Sequence, residues 1–501
     1  MTLPTPDEDD FTMFLTPVTP RLLRWPCLAC STALALTLGG CAVGPDFKQP
    51  AAPAVSSYTA EKVETTASLD GQHFVAGQDV PAQWWKVFGS PALDALVDQA
   101  LAHNADLEAA QAALRAARET AAAQGGGLWP SVDLHFMPTR QKVADTLASP
   151  LADNSYIYNL HTAQLNIAYA PDIFGGTRRQ IEAGRAQAEV QRFQRNATYL
   201  TLVSNVVLAV VNEAALREQL QAAEQAAALA ARQLDLVRQQ RALGALGLAD
   251  VAAQESLLAQ AQAALPALRK QLAQQRDQIA VLAGRFPGEG GSPQLPLSAL
   301  TLPAELPLSL PSTLVQQRPD VRAAQAQLQA ASAQVGVAIA NRLPSFNITG
   351  TIGSSAQEFS KLFTSGPGFW TLGLDLATPL FHGGSLQHQQ RAAEAGLDQA
   401  GALYRSVVLG AFQNVADTLH AIAADADGLA AATRAESAAQ RSFDAAQAQW
   451  KAGIAGYPQV LLAQQNLLTA SQSRVQAQAA RLADTVALFQ ALGGGWWHQD
   501  L

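Results

Sequence analysis

The chain is poor in the residues that build small-molecule chemistry. It has three cysteines in 501 residues, two of them (Cys27 and Cys30) inside an apolar amino-terminal stretch. That excludes a disulfide scaffold and a cysteine-based zinc cluster. Its eight histidines are dispersed, and His382 and His388 stand six apart, off a common helix face and outside any zinc spacing. No glycine-rich run follows the phosphate-loop pattern, so nothing points to nucleotide hydrolysis. Charge is scarce at 15%, against ~25% in ordinary domains. The net charge of −8 argues against a nucleic-acid partner. Beyond position 40 no run of about 20 apolar residues occurs, so no spanning helix is expected there. Any membrane-crossing part would have to be a closed β-barrel. The expectation is a protein that is not an enzyme and holds no metal or cofactor. What abounds instead is Ala, Gln and Leu, a composition suited to long, closely packed helices.

The amino terminus reads as an address. Arg21 and Arg24 precede an apolar stretch from Cys27 to Leu38, the order of a bacterial secretory signal. It closes on Leu38-Gly39-Gly40-Cys41, which resembles a lipobox. That resemblance implies acylation of Cys41, which would become the first mature residue and carry the only prosthetic group, a covalent lipid. An ordinary signal peptide with a chance cysteine is the alternative. Asp7-Glu8-Asp9-Asp10 is unlike a signal's start, and Met13 is an alternative first residue. Ala42 follows the cysteine, where in bacterial lipoproteins an Asp would favour inner-membrane retention.

The remaining chain is one unit written twice. DLEAAQAALRAA at 106–117 returns as DVRAAQAQLQAA at 320–331, and Trp129-Pro130-Ser131 returns as Leu343-Pro344-Ser345. Further on, Asp235, Gly244, Gly247 and Val251 correspond to Asp444, Gly453, Gly456 and Val460. Each half reads helix, strand, strand, long helix, turn, helix. Helices are expected over 92–124, 177–242, 249–283, 386–451 and 458–491, with Asn104-Ala105-Asp106 as a turn or cap inside the first. A helix of about 65 residues spans ~100 Å. Such helices must lie side by side, as in coiled coils. A coiled-coil spacer without a pore is one reading, but it leaves the strands unexplained.

Four segments alternate with period two: 131–137, 157–169, 345–353 and 369–377. Val132, Leu134 and Phe136 alternate with Asp133 and His135, and Trp370, Leu372, Leu374 and Leu376 with Thr371, Gly373 and Asp375. Leu165 and Ile167 alternate with Asn166, and Phe346 and Ile348 with Asn347. Apolar-out, polar-in alternation suits a water-filled barrel in lipid, and equally a soluble sandwich. Four strands cannot close alone, so a barrel must be shared between chains. Two copies give eight strands, whose interior fills with side chains; three give twelve and leave a channel. The expected lumen-facing strand residues are Asp133, Asn166, Asn347, Thr371 and Asp375.

Several segments together resemble a known family. They are Cys41-Ala42-Val43-Gly44-Pro45-Asp46-Phe47, Gln83-Trp84-Trp85 with Phe88, and Pro171-Asp172-Ile173-Phe174-Gly175-Gly176. Pro379-Leu380-Phe381-His382-Gly383-Gly384 and the ending Ala491-Leu492-Gly493-Gly494-Gly495-Trp496 complete the set. Over residues 41–497 the chain resembles the TolC-like outer-membrane efflux ducts, in the NodT-type lipoprotein branch that serves tripartite RND pumps. The resemblance implies a mainly α fold: a long helical tunnel continuous with a twelve-stranded barrel, to which each chain of a homotrimer gives four strands. It implies a periplasmic adaptor, an inner-membrane RND transporter and outer-membrane lipid as partners, and passive conduction of drugs or other small molecules. A type I secretion duct would look the same. The expected organisation is a signal (1–40), a tether and equatorial segment (41–91), two repeats (92–300 and 301–497) and a tail (498–501).

The gate is expected at the hairpin turns far from the barrel, 244–250 and 453–462. Gly244, Gly247, Gly453 and Gly456 supply backbone freedom there. The family often places acids in the second hairpin, where this chain has Ala455 and Leu462. Asp250 remains in the first hairpin, either as a gate charge or simply as an acid favoured at a helix start.

Overall fold

The computed structural model describes residues 42–61, 71–142, 157–291 and 293–498. The signal segment, Cys41 and residues 499–501 lie outside the described residues. Among the described residues six strands and eight α-helices follow in the order β1 (His73–Ala76), α1 (Pro91–His103), α2 (Ala105–Gly125), β2 (Ser131–Lys142), β3 (Ile157–Tyr169), α3 (Gly176–Ala242), α4 (Leu248–Leu282), β4 (Glu305–Leu308), α5 (Pro311–Gln317), α6 (Pro319–Ala340), β5 (Ser345–Ala356), β6 (Gly368–Ala377), α7 (Ser385–Lys451) and α8 (Tyr457–Ala491). The two long helices, α3 and α7, have 67 residues each, about 100 Å of rise. Their return helices, α4 and α8, have 35 each.

Local chemistry sets the corners. The Asn104 side chain accepts from the amides of Asp106 (3.0 Å) and Leu107 (3.1 Å), ending α1 and starting α2. At the head of α3 the Asp172 carboxylate accepts from the amides of Thr177 (2.9 Å) and Arg178 (2.8 Å). Gly175 holds φ at 79° just before it, and Gly384 holds 81° at the matching corner before α7.

The structure adds two short strands to the four expected. Besides the four alternating strands, β1 and β4 form a small parallel sheet, pairing His73 with Glu305 through Ala76 with Leu308. This sheet lies midway along the helices, where a core forms from Trp84, Trp85, Phe88, Leu93 and Val97 with Val203, Val207, Val415, Leu419 and Phe489. Trp84 stacks on Phe489 at 5.2 Å between ring centres. α3 and α7 each contain a window apolar enough to cross a bilayer. In α3 that window is largely buried, whereas α7 leaves Leu403 and Leu409 exposed, a face suited to a neighbouring copy.

The carboxyl-terminal corner closes this core. Gly493, Gly494 and Gly495 hold φ at 96°, 66° and 70°. A Cβ on Gly495 would come within 2.7 Å of the Val80 carbonyl oxygen. The turn lets Trp496 Nε1 donate to the Gln317 carbonyl (2.6 Å) and Trp497 Nε1 to Asp79 (3.1 Å). Gly495→Ala is therefore expected to cost ~1–3 kcal/mol through backbone strain. It should lower the temperature at which the native assembly dissociates on gels. An unchanged temperature would mean the corner contributes no stability.

Candidate conducting path

The four alternating strands form one antiparallel sheet in the order β2-β3-β5-β6. Its register sorts the side chains into rows. Leu134, Leu165, Ile352 and Trp370 lie side by side across the four strands. They are 75%, 40%, 59% and 75% exposed. In the next row, on the opposite face, lie Asp133, Asn166, Thr351 and Thr371. Asn347 stands opposite Asp375 on that same face. Thr351 Oγ1 donates to Asn166 Oδ1 (3.2 Å), which also accepts from Gln164 Nε2 (3.0 Å). The polar face carries the Asp133 and Asp375 carboxylates; the basic residues of the described strands, Arg140 and Lys142 of β2, fall on the other face.

An exposed apolar face this broad is stable only against lipid or another protein. Among the described residues the outer edges of β2 and β6 have no strand partner, so they are free to pair with further copies. At the helix-proximal ends stand Trp129, Tyr169, Phe346 and Phe381, aromatic residues of the kind that gather at a membrane surface. His382 lines a crevice of about 770 Å³ at these corners with Pro171, Asp172, Asn341 and Pro344.

At the far end, the turns are built differently from expectation. Gly244 (φ 77°) and Gly453 (φ 74°) take left-handed conformations that end α3 and α7. Gly247 (φ −86°) and Gly456 (φ −76°) do not: they are extended N-cap residues of α4 and α8. The side chain of Asp250 accepts from the Gly247 amide (3.0 Å), a helix-capping contact. Ala455 is partly covered. Leu462 is 60% exposed, on a groove shared with Ala253, Leu257, Pro458 and Leu461.

A polar tie at this end escapes sequence reading. Tyr457 Oη donates to Gln254 Oε1 (2.6 Å), and Gln254 Nε2 donates to the Ala230 carbonyl (2.8 Å). Gln233 Oε1 lies 3.4 Å from the same hydroxyl. All three side chains are buried, and Trp450 packs on the Tyr457 ring. The tie joins α8 of the second hairpin to α3 and α4 of the first. Burial pushes the Tyr457 phenol well above its ordinary range, so it stays a donor at physiological pH.

Midway along the tunnel, Asp425 of α7 faces Asp484 of α8 beside the fully buried Arg481, whose Nε donates to Gln72 Oε1 (3.0 Å). Burial, then the hydrogen bond and repulsion from Asp484, raise the Asp425 carboxyl to about 7, against the pull of Arg481. The folded state thus holds a proton that the unfolded state releases near pH 4. Its contribution to stability falls as pH rises from about 4 to 7 and stays low above. Asp425→Asn should therefore raise the dissociation temperature of the assembly at pH 8 and leave it near wild type at pH 4. The opposite pH order would refute the assignment.

A family model described as outer membrane efflux protein matches residues 96–285 and 310–494. The chain is 32% identical over 352 residues to the pyoverdine export outer membrane protein OpmQ of Pseudomonas putida, covering 69% of this chain and 73% of OpmQ. It is 30% identical over 468 residues to the probable efflux pump outer membrane protein TtgC of the same species, covering 93% and 95%. Among solved structures, the outer-membrane channel OprN superposes with a TM-score of 0.82 at 27% identity, over 91% of this chain and all of OprN.

Proposed function

We propose that this chain, which belongs to the outer membrane efflux protein family, passes drugs or other small molecules delivered by an inner-membrane RND transporter through a periplasmic adaptor. It is an outer-membrane channel component of an efflux system, with the fold of a trimeric duct whose helical tunnel runs into a β-barrel. The observation that carries the reading is the sheet: one face apolar and exposed, the other polar, both edges unpaired among the described residues. A coiled-coil spacer has no use for such a sheet. Three copies close twelve strands around water. The polar rows with Asp133, Asn166, Asn347, Thr371 and Asp375 would then line the lumen.

Conduction on this reading is passive, and the chain performs no catalytic step. Export of a small molecule rather than an unfolded protein is favoured by the names of the relatives, which concern pyoverdine and an efflux pump. Lipid on Cys41 would anchor the amino terminus at the same membrane. The test is conductance of the purified protein in planar bilayers, together with the identity of the inner-membrane protein that co-purifies after mild crosslinking. Discrete channel steps and an RND transporter are expected. No conductance would overturn the duct, and an ABC exporter as the sole partner would overturn the choice of pump.

A further inference from the structure

The first described residues are held far more tightly than a tether requires. Chain termini ordinarily fray unless something binds them. Here Arg179, on the first turn of α3 and only 5% exposed, is turned onto the amino-terminal segment. Its guanidinium donates to the carbonyls of Val43 (3.0 Å), Ala42 (3.4 Å) and Gly44 (3.4 Å), and to the carboxylates of Asp46 (2.7 Å) and Glu182 (2.7 Å). The Val43 amide donates to the Phe174 carbonyl (3.0 Å) at the end of the β3–α3 corner. A buried guanidinium is costly unless its donors are met and its charge is balanced. Three successive carbonyls and two carboxylates do both.

The surrounding glycines are explained by the same seat. A Cβ on Gly175 would lie 2.6 Å from both Cα and Cβ of Ala42, and one on Gly336 of α6 would lie 2.9 Å from the Val43 carbonyl and 2.7 Å from Arg179 Cγ. Gly44 holds φ at 96° and packs its backbone directly on Gly336. One helix, α6 at Gly336, and one corner, at Gly175, are thus hollowed out to admit three residues of backbone. The seat lies just past the end of β3, at the level of Tyr169 and Trp129. That is the level at which the barrel leaves the membrane on the helix side. Ala42 is the residue that follows Cys41 in the chain.

We infer that Arg179 is a positioning residue for the lipid anchor: by seating residues 42–46 it fixes where the acyl chains of Cys41 enter the bilayer, against the barrel's base beside α3 and α6. The inference rests on the reading of Cys41 as lipidated. A seated anchor does what a loose one cannot. It keeps the acyl chains at high effective concentration beside one strip of the barrel, so that they pack on it rather than disperse among phospholipids.

The test uses the full chain in cells fed palmitate carrying a diazirine. After photolysis, the assembly is purified, digested and mapped by mass spectrometry. In wild type, label on the amino-terminal peptide and crosslinks to the barrel base, at segments 126–134 and 169–175, are expected. Arg179→Ala and Val43→Pro should lower those crosslinks by about fivefold or more in favour of phospholipid, with assembly and conductance unchanged. Val43→Pro removes the amide donated to Phe174 while leaving Arg179 in place, and decides the matter if Arg179→Ala fails to assemble. An unlabelled amino-terminal peptide would overturn the lipidation reading and the inference with it. A labelled peptide whose crosslinks go only to phospholipid, or fall equally on the barrel base in wild type and both variants, would overturn the seat alone.

Discussion

Leu374→Arg is expected to abolish assembly of the barrel, while Thr371→Arg, three residues away, assembles and changes conductance. The two positions lie on the same edge strand but on opposite faces. Leu374 is 71% exposed in the single chain and stands beside Ile348 in the apolar rows. Thr371 stands beside Thr351 in the row that also holds Asn166 and Asp133. In a lipid-embedded barrel, arginine on the outer face costs ~2–4 kcal/mol near the bilayer midplane. The cost is met three times in a trimer. An arginine in the lumen keeps its hydration, so folding is spared. It does bring three positive charges to a face that otherwise carries only the carboxylates of Asp133 and Asp375 among the described charges of these strands. Cation conductance should fall and reversal potentials in a salt gradient should move toward anion selectivity. Heat-resistant assembly on gels and single-channel recording read the two effects separately. Equal loss of assembly from both substitutions would contradict the assignment of faces.

Much of this was legible because the signals are periodic. β3 ends where the alternation does, at Tyr169, and the long helices end at the paired glycines Gly244 and Gly453. Alternation fails earlier than the strand itself in β2. Met137 on the polar face and Arg140 on the apolar one break the pattern, yet the ladder continues to Lys142 because pairing with β3 fixes the backbone regardless of side-chain polarity. The β1–β4 sheet has no readable signature: its two strands of four residues lie some 230 positions apart, and one contains Pro307. Only the equatorial packing makes them strands.

The functional ends were less legible for a related reason. Glycine in sequence announces freedom but not which freedom is used. Gly244 and Gly453 use left-handed φ, while Gly247 and Gly456 serve as extended caps that any small residue tolerates. Gln233 and Gln254 sit in helices crowded with exposed glutamines, and nothing in the pattern marks the two that are buried. Their being opposite Tyr457 could only come from the packing of two hairpins. Arg179 is similar: nothing in the pattern after the double glycine marks the carbonyls it reaches 135 to 137 positions earlier or the Asp46 carboxylate 133 earlier.

Tyr457→Phe is expected to raise open probability in bilayers more than Asp250→Ala does. The tip has lost the acids expected at Ala455 and Leu462, so closure should depend on packing and buried hydrogen bonds. Asp250 spends its carboxylate capping α4 through the Gly247 amide, leaving it poorly placed to repel or bind cations across the axis. Its removal costs about 1 kcal/mol of helix capping and should alter conductance only modestly. Removing the Tyr457 hydroxyl instead leaves Gln254 Oε1 buried without its donor, at ~1–3 kcal/mol. That cost weakens the join between the two hairpins of each protomer while their helices persist. The second hairpin can then swing from the first, which is the motion an opening needs. Tyr457→Leu should open the duct further, since it also loses the ring packed 5.1 Å from Trp450. Closure can be imposed from the other side. Leu462 is exposed on α8 near the tip, and Leu462→Cys should crosslink between protomers in the resting duct. A disulfide needs Cα atoms within ~7 Å, so its formation reports that the three copies converge there. Oxidised Leu462→Cys channels should be silent and recover with reductant. Full opening by Asp250→Ala, with Tyr457→Phe silent and Leu462→Cys never crosslinking, would place the gate elsewhere and restore charge as its basis.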